Sequence, residues 1–333
     1  MQSHLRFIAA ATIILLACPF ATRAQRHRHE DERNAARHGM NPCYDPGDPN
    51  DILLWRMGAP GAMGSDPCRD VPYLQVFRSA EASHEPRPAV LIIPGGGYDR
   101  LTDAREQVPV AEYFVSQLHV TAFILRYRLV QGDGTYRYPI PFWDGQRALR
   151  LLRAQSAALG INPNHVAVFG FSAGGHLAST LALHPSETFG AVLTDAIDRS
   201  SARVDLLGLG YPVISMNPAA VPPSGSYRNL LGGLDGRQLR FLQHFLSGEE
   251  NVTPKAPPTF LFESLDDRKI SPLNSQLFAE ALQRAGVPNE VHIFRHGEHG
   301  AGLAEGVPEE DAWPSMFQTW IARYWPETGR AGR

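Results

Sequence analysis

The run Val166-Ala167-Val168-Phe169-Gly170-Phe171-Ser172-Ala173-Gly174-Gly175 constrains this chain more than any other stretch of it. Four apolar residues of strand length lead into Gly-x-Ser-x-Gly, and a helix-period segment continues to Leu183. A strand that turns straight into a helix holds the residue at the turn in a strained backbone. Close packing then demands small residues two positions before and two after it. Gly170 and Gly174 supply them, with Gly175 behind. The turn also sets Ser172 at the positive end of the helix, which favours an anionic intermediate. This context makes Ser172 a candidate nucleophile. The plainer reading, a Gly-rich turn with an incidental serine, leaves the strand-to-helix setting unexplained.

A second glycine cluster, Pro94-Gly95-Gly96-Gly97-Tyr98, follows the apolar run Ala89–Ile93. Backbone amides reach a developing oxyanion only where side chains are absent, and each such donor stabilises the transition state by about 3 kcal/mol. A phosphate cradle is disfavoured, because neither GxGxxG spacing nor a P-loop lysine is present.

Around these two turns, buried strands are predicted at 89–93, 121–127, 166–169, 205–209, 259–262 and 290–294. Helices are predicted at 108–118, 145–159 and 174–183. Another starts at Ser271-Pro272, with Ser271 as its cap, and runs to Ala285 before Gly286 and Pro288. Repeated strand–helix–strand order predicts an α/β protein with a mostly parallel sheet and helices on both faces. One domain is expected over 49–328, with no composition break inside it.

IIPGGGY, GFSAGGHLAST and the later Asp and His segments resemble the α/β-hydrolase superfamily. More narrowly they resemble bacterial esterases of the hormone-sensitive-lipase-like and acetyl/feruloyl-esterase type. The likeness runs from about 50 to 325 and includes WRMGAPGAMG near 55–64 and GYPVISM at 210–216. It implies a sheet of about eight strands, a triad in the order Ser, acid, His, and oxyanion donors at Gly96, Gly97 and Ala173. Such esterases commonly carry His where this chain has Pro94. For the acid, TFLFESLDDRKISP offers Asp266 and Asp267; the family's Asp-x-x-Val/Ile spacing selects Asp267, leaving Asp266 a loop-stabilising carboxylate and Glu263 a lesser candidate. For the base, HIFRHGEHGAG offers His296 and His299, and the family's His-Gly motif selects His299. His292 alternates into the strand as a structural residue. His299 would then take the Ser172 proton while Asp267 holds the imidazole.

The N-terminus reads as an export signal over 1–24. Arg6 precedes the apolar run Phe7–Phe20, which is too short for a membrane span, and small residues follow to Ala24. Leu15-Leu16-Ala17-Cys18 resembles a lipobox, a second route of processing through Cys18. A charged, then Pro- and Gly-rich linker is expected over 25–48, with His27, His29 and His38 as solvated side chains. In an oxidising compartment Cys43 and Cys68 are expected to pair.

A net charge of −3 leaves no large basic excess to neutralise a phosphate backbone, so nucleic acid is not an expected partner. No stable membrane span, metal or cofactor is expected, and the oligomeric state stays open. The resemblance implies short-chain ester hydrolysis, with acetyl or feruloyl groups of plant polysaccharides such as xylan as substrates. A general carboxylesterase and a non-catalytic binding protein on the same scaffold are the alternatives. Trp143, Tyr98, Tyr211 and Tyr227 are candidates for stacking on sugar rings, although aromatics near an α/β core more often simply pack. No separate lid-like apolar insertion is evident between Ala191 and Thr259, which predicts a preference for acetyl or similarly short esters over long-chain ones.

Overall fold

Apolar runs of strand length cannot stay in water, and here they pair into one sheet. The computed structural model describes residues 43–81, 85–102, 104–193 and 195–329. Among them are β1 (Asp51–Leu53), β2 (Tyr73–Phe77), β3 (Arg87–Ile93), β4 (Thr121–Arg126), β5 (Ile161–Phe171), β6 (Leu206–Gly210), β7 (Thr259–Ser264) and β8 (Asn289–Phe294). Their order across the sheet is β1-β2-β4-β3-β5-β6-β7-β8. The pairs β1–β2 and β2–β4 are antiparallel, and every pair from β4 to β8 is parallel.

The longer helices are α1 (Val108–Leu118), α2 (Ile140–Ala154), α3 (Ala173–Leu183), α4 (Gly225–Leu231), α5 (Gly236–Phe245), α6 (Leu273–Arg284) and α7 (Trp313–Tyr324). Side chains of a strand alternate between faces, so the buried strands feed two cores. Leu91, Val168, Leu209 and Leu261 pack with Phe142, Leu177 and Phe278 on one face. Ile92, Phe169 and Phe262 pack with Phe114, Trp313, Phe317 and Trp320 on the other. Helices thus cover both faces, as the alternating pattern predicts.

Several expectations shift. The predicted helix 145–159 begins at Ile140, with Pro141 in its first turn, and breaks at Gln155 before a short turn Ser156–Leu159. Pro272, not Ser271, occupies the cap position of α6. Residues 43–48, read as the end of the linker, are tied to the domain by the Cys43–Cys68 disulfide, with S–S 1.99 Å. The Tyr44 amide also donates to the Pro67 carbonyl at 2.9 Å. Between Ala191 and Thr259, beside the expected strand β6, lie α4, α5 and a short helical turn at Gly248–Asn251. The WRMGAPGAMG segment packs against Arg128 and Arg147. Its Pro60 carbonyl accepts from Arg128 at 2.7 Å, and Trp55 lies against Arg128 and Arg147. Signal, lipobox and most of the predicted linker, including His27, His29 and His38, lie outside the described residues.

Candidate active site

Ser172 sits between the end of β5 and the start of α3, with φ 51° and ψ −120°. That conformation is costly for a residue with a side chain, and the neighbours must hold it. They do so by closeness that only glycine permits. A Cβ on Gly170 would lie 2.4 Å from the Gly174 carbonyl, and one on Gly174 would lie 2.1 Å from the Ile93 carbonyl. The Ser172 amide donates to Gly210 of the next strand at 3.0 Å, and its carbonyl accepts from Val213 at 3.0 Å.

Ser172 Oγ lies 2.9 Å from His299 Nε2, and His299 Nδ1 lies 2.6 Å from Asp267 Oδ2. The other oxygen of Asp267 accepts from the Lys269 and Ile270 amides at 2.7 and 2.9 Å. These bonds leave Nε2 free to accept the serine proton. Asp266 and His296 form a second Asp–His pair at 3.2 Å, one turn away. Exposure separates the two pairs. The side chains of Asp267 and His299 are 1% and 11% exposed, against 46% and 69% for Asp266 and His296. Asp266 accepts from the His296 ring and the Gly297 amide, which hold its carboxyl below the usual range. It braces the histidine loop. His292 faces Glu290 on β8 at 3.0 Å.

Gly96 and Gly97 line a cavity of about 390 Å³ together with Ser172 and His299. Among the described residues, nothing accepts a hydrogen bond from the amides of Gly96, Gly97 or Ala173. The Gly95 amide, by contrast, is occupied: it donates to Glu106 Oε2 at 2.8 Å. Glu106 is fully buried, and burial raises its pKa. Its Oε1 accepts from the Tyr211 hydroxyl at 3.1 Å, and that hydroxyl accepts from the Gly302 amide at 3.1 Å. One carboxylate therefore ties the glycine loop to the loop that carries His299. Sequence reading missed it, because a glutamate just before a helix looks like any exposed first-turn acid.

Other side chains are claimed by structure. Tyr98 is buried and its hydroxyl lies 2.6 Å from His176 Nδ1, while His176 Nε2 donates to the Leu246 carbonyl at 2.9 Å. Burial pushes His176 down to about 4, so it stays neutral. Tyr98 and Tyr211 are thus core residues, the usual role of aromatics near such a sheet, and unavailable for stacking on sugars. The Trp143 indole donates to the Phe189 carbonyl at 3.0 Å, and Tyr227 accepts from Gln243 at 2.9 Å. Beneath Asp267 lie two further buried acids. Burial pushes Glu263 up to about 8 and Glu310 up to about 7. Glu263 Oε2 accepts from Ser275 at 2.9 Å, so this residue braces α6 and does not face Ser172. Among the described residues no cluster of ligating side chains suits a metal ion. Nor is any helix there long and apolar enough to cross a membrane.

The BD-FAE family model matches residues 74–282. The chain belongs to the BD-FAE family. The match takes in Ser172 and Asp267 and stops short of the loop that carries His299. The chain is similar to the acetylxylan esterase of Xylanibacter ruminicola, 28% identical over 70% of this chain and 45% of its own. Endo-1,4-beta-xylanase B of Butyrivibrio fibrisolvens is 30% identical over 66% of this chain and 33% of its own. This chain therefore spans less than half the length of either relative. The crystal structure of an acetyl ester-xyloside bifunctional hydrolase from Caldicellulosiruptor lactoaceticus superposes with a TM-score of 0.71 at 36% identity. That superposition covers 82% of this chain and 96% of that one. The fold is that of the α/β-hydrolase esterases, and the BD-FAE chain carries its serine, acid and histidine on the carboxyl ends of β5, β7 and β8.

Proposed function

We propose that this BD-FAE chain is an exported serine esterase that removes acetyl groups from a carbohydrate such as xylan. The observation that carries the reading is the continuous line Ser172–His299–Asp267, opening into a cavity whose wall holds the Gly96 and Gly97 amides. His299 Nε2 takes the hydroxyl proton as Ser172 Oγ attacks the ester carbonyl carbon. The amides receive the carbonyl oxygen, Ala173 at the start of α3 among them. His299 then hands its proton to the leaving alcohol, and water, activated the same way, releases the acetate. Asp267 keeps the imidazole in the tautomer this requires. A purely binding role leaves a three-group line with these distances unexplained.

The cavity favours a short acyl group. Its lining is mostly glycine, hydroxyl and charged residues, with Leu101 and Ile270 the aliphatic ones. A long chain would find little apolar surface to bury. Helix α4 adds to the wall through Gly225 and Ser226, and Asn229 donates to the Gly97 carbonyl at 2.8 Å. Among the described residues Glu106, turned inward to Gly95, is the one carboxylate in the lining, whereas glycoside hydrolysis needs two facing acids. Export is supported by the apolar N-terminal run and by the Cys43–Cys68 disulfide, which suits an oxidising compartment.

The test is release of acetate against ferulate from acetylated and feruloylated xylan, beside labelling by an active-site phosphonate. Acetate release with one label on Ser172 is expected. A folded enzyme that takes no label, or that hydrolyses a laurate faster than the matching acetate, would overturn the reading.

A further inference from the structure

The mouth of the cavity is cationic although the chain as a whole carries a net charge of −3. Arg100, Arg105 and Lys269 line the same cavity as Ser172 and His299, and all three are exposed. Each is anchored through its backbone to a different part of the machinery. The Arg100 amide donates to the Gly96 carbonyl at 3.2 Å, which fixes it to the glycine loop. The Lys269 amide donates to Asp267 at 2.7 Å, which fixes it to the acid turn. The Arg105 backbone lies against Gly302 of the histidine loop, so closely that a Cβ there would come within 2.2 Å of its carbonyl oxygen. Only two lysines occur in the sequence, Lys255 and Lys269, and one of them is here.

At Arg100 and Lys269 little opposes this charge. Arg100 meets Asp99 at 3.1 Å, with both side chains well exposed, and such pairs hold weakly in water. The Lys269 ammonium makes no ion pair among the described residues. Glu106 faces inward to Gly95 and Tyr211. The reacting carbonyl must reach Ser172, only 7% exposed, so the acyl half lies deep and the alcohol half projects past the rim.

We propose that the preferred substrates are short acyl esters whose alcohol half bears an anionic group, received by Arg100, Arg105 and Lys269. For a carbohydrate this means an acetylated chain carrying acidic sugars. The proposal rests on the serine-esterase reading above and narrows it.

The experiment compares 3-carboxyphenyl acetate with 3-carbamoylphenyl acetate, a neutral ester of nearly the same size, each corrected for its spontaneous hydrolysis. At low salt, kcat/KM favours the carboxylate by about tenfold, chiefly through KM. The preference shrinks toward unity near 1 M salt, where charges are screened beyond about 3 Å. In the double variant Arg105→Gln with Lys269→Gln the ratio falls to about twofold or less. Turnover of the carbamoyl ester by that variant reports that it is folded. A third ester, 3-sulfophenyl acetate, sorts the anion. Equal preference for it assigns the rim to anions generally, and its rejection assigns the rim to carboxylates; both sustain the proposal. A wild-type ratio near one at low salt, or a ratio unchanged in the double variant, overturns it. Hydrolysis of no ester, with no phosphonate label on Ser172, instead overturns the esterase reading and this proposal with it.

Discussion

Asp267→Asn is the substitution that probes the site most sharply. The wild-type carboxylate uses one oxygen for His299 Nδ1 at 2.6 Å and the other for the Lys269 and Ile270 amides. An asparagine has a single oxygen to divide between these duties. If that oxygen stays with the two amides, its NH₂ points at the ring, and His299 must present Nδ1 as an acceptor. The proton then moves to Nε2, where it faces Ser172 Oγ, and the ring is unable to take the serine proton. If the side chain flips, the solvent-exposed Lys269 amide and the part-buried Ile270 amide both lose their acceptor, the second at about 1–3 kcal/mol. Helix α6 starts just beyond these amides, so the flipped form is the costlier one. The wrong tautomer therefore dominates, and kcat falls by about 10⁴, the loss seen for the equivalent change in a serine protease and worth about 5.5 kcal/mol of barrier. Asp266→Asn keeps an acceptor for Gly297 in solvent and changes kcat by no more than a few-fold. Hydrolysis of a chromogenic acetate measures both, with melting temperature as the check on folding. Full activity in a well-folded Asp267→Asn enzyme, or inactivation by Asp266→Asn alone, would refute the reasoning.

Three further outcomes are expected. Glu106→Ala leaves the Gly95 amide without its acceptor and loosens the loop that presents Gly96 and Gly97; kcat drops by up to about 10²-fold with KM little changed, and Glu106→Gln restores most of it. Steady-state kinetics at saturating ester decides this, and equal losses in both variants would argue against an acceptor role. For Glu263, burial raises the carboxyl from 4.5 to about 8, so the folded protein keeps a proton that the unfolded chain releases above pH 4.5. That contribution to stability is complete below pH 4.5 and is lost as pH rises toward 8. Calorimetry should therefore show Glu263→Gln gaining in melting temperature on the wild type from pH 5 to pH 8; parallel curves would contradict the burial argument. Replacing Cys43 and Cys68 by alanine removes the closure of a loop of 25 residues and costs about 3 kcal/mol in chemical denaturation, with turnover of the folded enzyme retained. An unchanged denaturation midpoint would count against it.

Local pattern by itself determined the central strands, helices α1 and α3, and the turn that carries Ser172. Strands of the parallel core are buried on both faces and so read as continuous apolar runs. The glycines around Ser172 answer a steric demand that extends only a few residues. Where that local information thinned, elements were overlooked. Strand β1 has three residues, too few for any period to show, and β2 lies at the antiparallel edge. Helix α7 did carry a signal in Trp313, Phe317, Trp320 and Ile321, whose spacing is helical and whose side chains fill the second core. Its Pro314 near the start disguised it.

The pairing of Asp267 with His299, and not with the neighbouring histidine, is a different kind of fact. Both Asp–His pairs exist, and one-residue spacing in the chain says nothing of which is buried. Ser172 and His299 stand 127 residues apart and meet only because the parallel strands β5, β7 and β8 all end on one edge of the sheet. The same convergence brings Glu106 under Gly95, sets α4 in the cavity wall, and rings the mouth with Arg100, Arg105 and Lys269. Backbone strain and apolar burial are properties of short segments, so the sequence by itself determined them. Which loop ends face one another, and which charges water still reaches, depend on the register of the whole sheet, and that only the tertiary structure decided.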